Sequence, residues 1–174
     1  MLHDGNGWSA GPNGTRCWGR FGAAGLLLLV AESDSPADIK VLMQYRAEWT
    51  SCPLTWGVPG GARDSHETPA IAALRESEEE TGIQPHQVTI LESHVTAGPY
   101  PADPERPELA GDWCYHTVFA VADHELETTA NAESLELRWV PLDDVASLNL
   151  LPAFADSWPR VKEIALQLLA ARLN

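Results

Sequence analysis

Glu67, Arg75, Glu76, Glu79 and Glu80 stand between two glycines, Gly61 and Gly82, and here the sequence concentrates groups able to do chemistry. Carboxylates are hard oxygen ligands suited to Mg2+ or Mn2+. On a helix with Ile71 at zero, Glu79, Glu76 and Glu80 fall at roughly 80°, 140° and 180°, on one arc. Ala70, Ala73, Leu74, Ser77 and Thr81 take the opposite arc, and Glu78 lies off the acidic one. Like charges at these spacings repel by a few tenths of a kcal/mol per pair. They also crowd the helix C-terminus, where the macrodipole disfavours anions. Arg75 is the only cation on the helix. An arrangement poor for stability yet focused in space points to a functional cause. Taken alone, the three carboxylates fit a solvated acidic face equally well.

The elements that must position them are legible in outline. Thr68-Pro69 reads as an N-cap followed by proline at the first helical position, and Gly82 as the residue closing the helix, which predicts a helix over 69–81. Ahead of it, the apolar run Phe21 to Ala31 reads as a strand buried on both faces, and Lys40 to Tyr45 as its hairpin partner. Trp56-Gly57-Val58-Pro59-Gly60-Gly61 is a short extended piece entering a glycine turn. Beyond the helix, strands are expected at Val88 to Ala97, Trp113 to Ala122 and Leu135 to Val140. A short helix is expected from Pro141 and a last one over Pro159 to Leu173. Residues 98–111, with four prolines, read as a long irregular loop of the kind that often serves as a lid. Residues 1–15, rich in Gly and Asn, read as a flexible tail before a domain at 16–174. The order of elements is α/β.

The 174 residues carry 11 Lys and Arg against 25 Asp and Glu, a net charge of −14. Such a chain is a poor binder of nucleic acid polymers or anionic membrane surfaces. An anionic substrate would need a cation beside it. Cys17, Cys52 and Cys114 form neither a zinc motif nor a disulfide framework, and no signal peptide is evident. A cytoplasmic location is the expectation.

The segment Gly61 to Ile83 resembles the Nudix box, G-x5-E-x7-R-E-U-x-E-E-x-G-U with U aliphatic. Gly61, Glu67, Arg75-Glu76, Glu79-Glu80 and Gly82 match its fixed positions, and Ile83 closes it. Ser77 departs from it, standing where an aliphatic residue is usual. The resemblance implies a Nudix fold, a mixed β-sheet sandwiched between α-helices. It also implies Mg2+-dependent hydrolysis of a nucleoside diphosphate linked to another group, with Mn2+ able to substitute. Glu76, Glu79 and Glu80 are then metal ligands, one of the last two also taking the proton of the attacking water. Glu67 joins the metal shell or orients its waters. Arg75 supports catalysis by pairing with a box glutamate. The carbonyl of Gly60 is a further ligand candidate.

Outside the box, the resemblance makes Glu133 and Glu136 candidates for an additional glutamate. It brings Tyr45 and Arg46, at a strand end, toward the substrate. Trp18, Phe21, Trp113 and Tyr115 are candidates for stacking on a base, each weighed against a place in the core. His116 is a candidate base weighed against a structural histidine, and His66 is expected to face solvent. The lead-in at Trp56 to Gly61 looks most like the MutT-type nucleoside triphosphate pyrophosphohydrolases. Pro99 and Tyr100 leave ADP-ribose and dinucleoside polyphosphate hydrolases as alternatives. A non-catalytic ligand-sensing module of the same fold is a third. The expected partner is a small nucleotide, and a homodimer is left open.

Overall fold

The computed structural model describes residues 3–33 and 35–172. Its centre is β3 (Ala23–Ala31), entirely buried but for its last residue. One face of this strand presents Ala24, Leu26 and Leu28, and the other Leu27 and Leu29; they belong to two separate cores. A strand covered on both sides has no polar face, hence its unbroken apolar run.

Around it lies a mixed seven-stranded sheet. β4 (Ile39–Arg46) runs antiparallel to β3 at Leu29↔Val41 and Ala31↔Ile39. Farther along, the two strands take different partners. β5 (Trp56–Gly57) pairs with β4, and β6 (Gly60–Ala62) pairs with β3 through Ala24↔Gly61 and Gly25↔Gly60. This fork delivers the glycine turn to the sheet. On the far side of β3, β8 (Trp113–Val121) runs parallel to it, and β7 (Thr89–Tyr100) runs antiparallel to β8. β9 (Ser134–Pro141) pairs antiparallel with β4.

Helix α1 (Pro69–Thr81) covers one face, burying Ala72 and Ala73 against Ala24, Leu26 and Val118. Helix α2 (Pro152–Arg172) covers the other with Phe154, Trp158, Val161, Ala165 and Leu169. The expected sheet between helices is thus observed.

Three expectations are corrected. Residues 8–18 form a hairpin of β1 (Trp8–Ala10) and β2 (Arg16–Trp18), so part of the segment read as a flexible tail is built into the fold. The hairpin is tied to the 101–112 loop, where Ala10 N–H donates to the Ala110 carbonyl at 2.8 Å and Ala110 N–H to the Trp8 carbonyl at 3.3 Å, and Arg16 lies over the Trp8 ring. Next, Gly98, Pro99 and Tyr100 belong to β7, with a cis Gly98–Pro99 bond, so the loop begins after Tyr100. Last, α2 starts at Pro152 and encloses Pro159. Proline removes one helical hydrogen bond there, but Phe154 and Trp158, both buried, anchor the turns around it. Leu173, expected in this helix, lies outside the described residues.

Candidate hydrolytic site

Local chemistry sets the helix that carries the site. The Thr68 hydroxyl oxygen accepts the Ile71 N–H at 3.2 Å, Pro69 occupies the first turn, and Gly82 ends the helix at φ 78°. A left-handed residue there favours glycine. Ser77 is buried on the sheet side, where Thr81 donates its hydroxyl to the Ser77 carbonyl at 2.6 Å. The Ser77 hydroxyl itself stands 3.5 Å from the Thr81 hydroxyl, which gives the polar residue at an aliphatic position a partner.

The acidic arc does not face solvent uniformly. Glu80 is only 3% exposed, Glu76 is half-buried, and the Glu79 side chain is 50% exposed at the rim. Glu78 and His66 point outward. Glu80 Oε2 accepts the Gly60 N–H at 2.8 Å. Burial pushes its carboxyl up to about 10, aided by Glu133 and Glu76 and opposed by the Gly60 N–H. Burial likewise raises Glu76, which Arg75 opposes and Glu79 and Glu133 reinforce. Of the two outer glutamates, then, Glu133 faces the box. Glu136 is engaged by Arg138 on the exposed side of β9.

Arg75 ties the box together. Its Nε and Nη2 donate to the two oxygens of Glu67 at 2.7 and 2.8 Å, its Nη1 to Glu76 at 2.9 Å, and its Nη2 also to the Ala62 carbonyl at 3.1 Å. This is the bidentate geometry that guanidinium provides and ammonium does not. The pairing raises the Arg75 pKa and holds Glu67 below the usual carboxylate range. Both Glu67 oxygens are therefore turned to protein donors, and Oε1 also takes the Asp64 N–H at 2.8 Å.

The substrate-side candidates divide. Tyr45 stacks on Trp56 with centroids 4.9 Å apart, and Arg46 donates to the carbonyl and hydroxyl of Ser51. Tyr115 is near enough to Glu80 for the carboxylate to raise its pKa, after the larger effect of burial. Trp113 stands 6.3 Å from Tyr115, with Tyr100 stacked on Trp113, so the ends of the 101–112 loop approach the site by way of these rings. Trp18 and Phe21 are exposed. His116 Nδ1 is buried without a partner, and burial followed by Arg63 lowers its pKa.

Sequence reasoning passed over Asp64, a carboxylate 4% exposed at a variable box position. Its burial depends on a chain segment distant in sequence, so spacing alone held no signal for it.

Among the described residues, no three His, Cys, Asp or Glu side chains are gathered as a preformed metal cluster. The donor set nonetheless fits a hard divalent cation. Glu133 raises the pKa of both Glu76 and Glu80, and among the described residues Arg75 is the cation that opposes the rise at Glu76. Carboxylates buried together in this way need a counter-charge.

Comparison with known proteins gives three kinds of match. The NUDIX domain family model matches residues 20–163. A Mycobacterium tuberculosis protein named as a candidate 8-oxo-dGTP diphosphatase is 47% identical over 160 residues, 91% of this chain and 70% of that protein. A Bifidobacterium longum nucleoside triphosphate pyrophosphatase/Nudix hydrolase fusion protein is 41% identical over 90% of this chain and 30% of its own. The crystal structure of the M. smegmatis Nudix hydrolase RenU superposes with a TM-score of 0.81 at 45% identity, covering 94% of this chain and 96% of that one.

Proposed function

Starting from a chain that belongs to the Nudix family of pyrophosphohydrolases, we propose that it is a Mg2+-dependent, MutT-like nucleoside triphosphate pyrophosphohydrolase. An oxidised purine deoxynucleotide such as 8-oxo-dGTP is the first substrate to try. In the proposed reaction, water breaks one P–O–P bridge, leaving nucleoside monophosphate and pyrophosphate. The observation that carries the reading is the placing of two carboxylates of α1 against the glycine turn: Glu80 takes the Gly60 N–H at 2.8 Å, and Glu76 fills the space that a Cβ on Gly61 would need. The M. tuberculosis relative's name supports the choice of substrate.

Glu76, Glu79 and Glu80 would hold the metal, with Glu133 completing the acidic wall. Mg2+ in such a site activates water and shields phosphate charge. The chain's own groups do the rest. Arg75 fixes the Glu76 rotamer while keeping Glu67 ionised. Glu80, anchored by the Gly60 N–H, or Glu79 at the solvent rim accepts the proton released by the attacking water. Tyr115 and Trp113 offer aromatic surface beside the acidic wall for the base. The cytoplasm is the compartment this activity calls for, and the free thiols of Cys17, Cys52 and Cys114 suit it.

The test is a nucleotide panel with and without Mg2+, read by product identity. Nucleoside monophosphate plus pyrophosphate from a triphosphate supports the reading. Cleavage confined to ADP-ribose or dinucleoside polyphosphates replaces the substrate class. No cleavage by folded, metal-loaded protein favours a ligand-sensing module.

A further inference from the structure

We infer that the segment at residues 3–7 is a clamp on the box loop and that Asp64 is a positioning residue for the hydrolytic site. The inference rests on the functional reading above, for a stretch that lies outside the matched family domain.

The clamp has two grips. Gly5 N–H donates to Asp64 Oδ1 at 2.8 Å, in a buried contact. Asp4 accepts the Ser65 N–H at 2.9 Å and the Ser65 hydroxyl, contacts that hold its carboxyl below the usual range. The fit is close enough to demand glycine, since a Cβ on Gly5 would overlap the Arg63 carbonyl. The clamp is itself tied back to the turn that follows β2: Arg20 N–H donates to the Gly5 carbonyl at 2.8 Å and Gly19 N–H to the Gly7 carbonyl at 2.7 Å.

What it holds is the turn that aims Glu67. Glu67 N–H donates to the Asp64 carbonyl at 3.1 Å, while Asp64 N–H donates to Glu67 Oε1 at 2.8 Å. Asp64 Oδ2 also stands 3.9 Å from Arg75 Nη2. The line of contacts therefore runs from Gly5 through Asp64 to Glu67 and Arg75, and from Arg75 to Glu76. Partners that orient ligands behind a metal site commonly matter tenfold or more to metal affinity. Asp64 touches neither metal nor substrate in this account and acts through Arg75 and Glu67.

The test measures Mn2+ affinity alongside kcat and KM in the full chain. Gly5→Ala and Asp64→Ala should each weaken Mn2+ binding about tenfold and lower kcat at little change in nucleotide KM. Asp64→Asn, which still offers an acceptor to Gly5, should recover most of the loss. Lys162→Ala, which removes only the α2 ion pair to Asp143 away from the box, should leave both readouts unchanged. Should Gly5→Ala and Asp64→Ala fail to fold, Asp4→Ala decides, because it removes only exposed contacts; weaker Mn2+ binding than the parent is expected. Folded Gly5→Ala and Asp64→Ala with parental Mn2+ affinity and kcat overturn the inference, as does a parental Asp4→Ala where those two do not fold. If the parent binds Mn2+ but hydrolyses nothing, the functional reading fails and the Mn2+ comparison still decides the clamp. A parent that binds no Mn2+ overturns both.

Discussion

A methyl group placed on Gly61 would stand 2.6 Å from the Glu76 carboxyl carbon, so the bare backbone of β6 is what gives that carboxylate its place. Gly61→Ala should push Glu76 out of its bond to Arg75 while leaving the strand pairing with Ala24 possible. The expected result is a fall in kcat of about a hundredfold, the scale of an ångström-sized misplacement, with a melting temperature lowered by only a few degrees. Steady-state kinetics and a thermal melt check it.

Arg75 is the next most exposed to test. Arg75→Ala would strand Glu67, whose side chain is 3% exposed, as an unpaired buried carboxylate. A destabilisation of about 3 kcal/mol is expected in denaturant unfolding. Arg75→Lys restores charge but not the fork, so it should recover part of the stability and little of kcat.

Glu80 gives a pH dependence with a definite sign. Its carboxyl is raised from an ordinary 4.5 to about 10 in the fold, so the folded state retains a proton that the unfolded chain loses above its own value. That contribution to stability is full below pH 4.5 and declines as the pH rises toward 10. In EDTA, Glu80→Gln should therefore melt higher than the parent by a margin that widens from about pH 5 to about pH 9. Saturating Mg2+ should reverse the order, and metal binding near neutral pH should release about one proton. A margin independent of pH would count against this.

Helix α1 was legible residue for residue because its signals are local: Thr68 and Pro69 start it, Gly82 stops it, and the acidic and apolar arcs follow the helical period. The buried strand β3 was legible for a similar reason, a single unbroken apolar run. What escaped depends on distant contacts. The β1–β2 hairpin is two three-residue strands whose support comes from the 101–112 loop. The start of α2 was hidden because Pro159 resembles a first-turn proline, and only the burial of Phe154 and Trp158 explains the turns before it. Glu133 and Glu136 were equivalent in sequence; Glu133 lies just before β9 and faces Glu80, whereas Arg138 engages Glu136 within the strand.

On the proposed reading, one face of α1 performs metal-dependent hydrolysis. Its most direct test compares kcat of Glu79→Gln, Glu80→Gln and Glu78→Gln with Mg2+ on the best nucleotide of the panel. These remove the same charge from adjacent helix positions, so general electrostatics are matched. Losses of about a hundredfold or more are expected for Glu79→Gln and Glu80→Gln, with Glu78→Gln near the parent, because Glu78 points to solvent off the acidic arc. Equal losses in all three, or none in any, would contradict it.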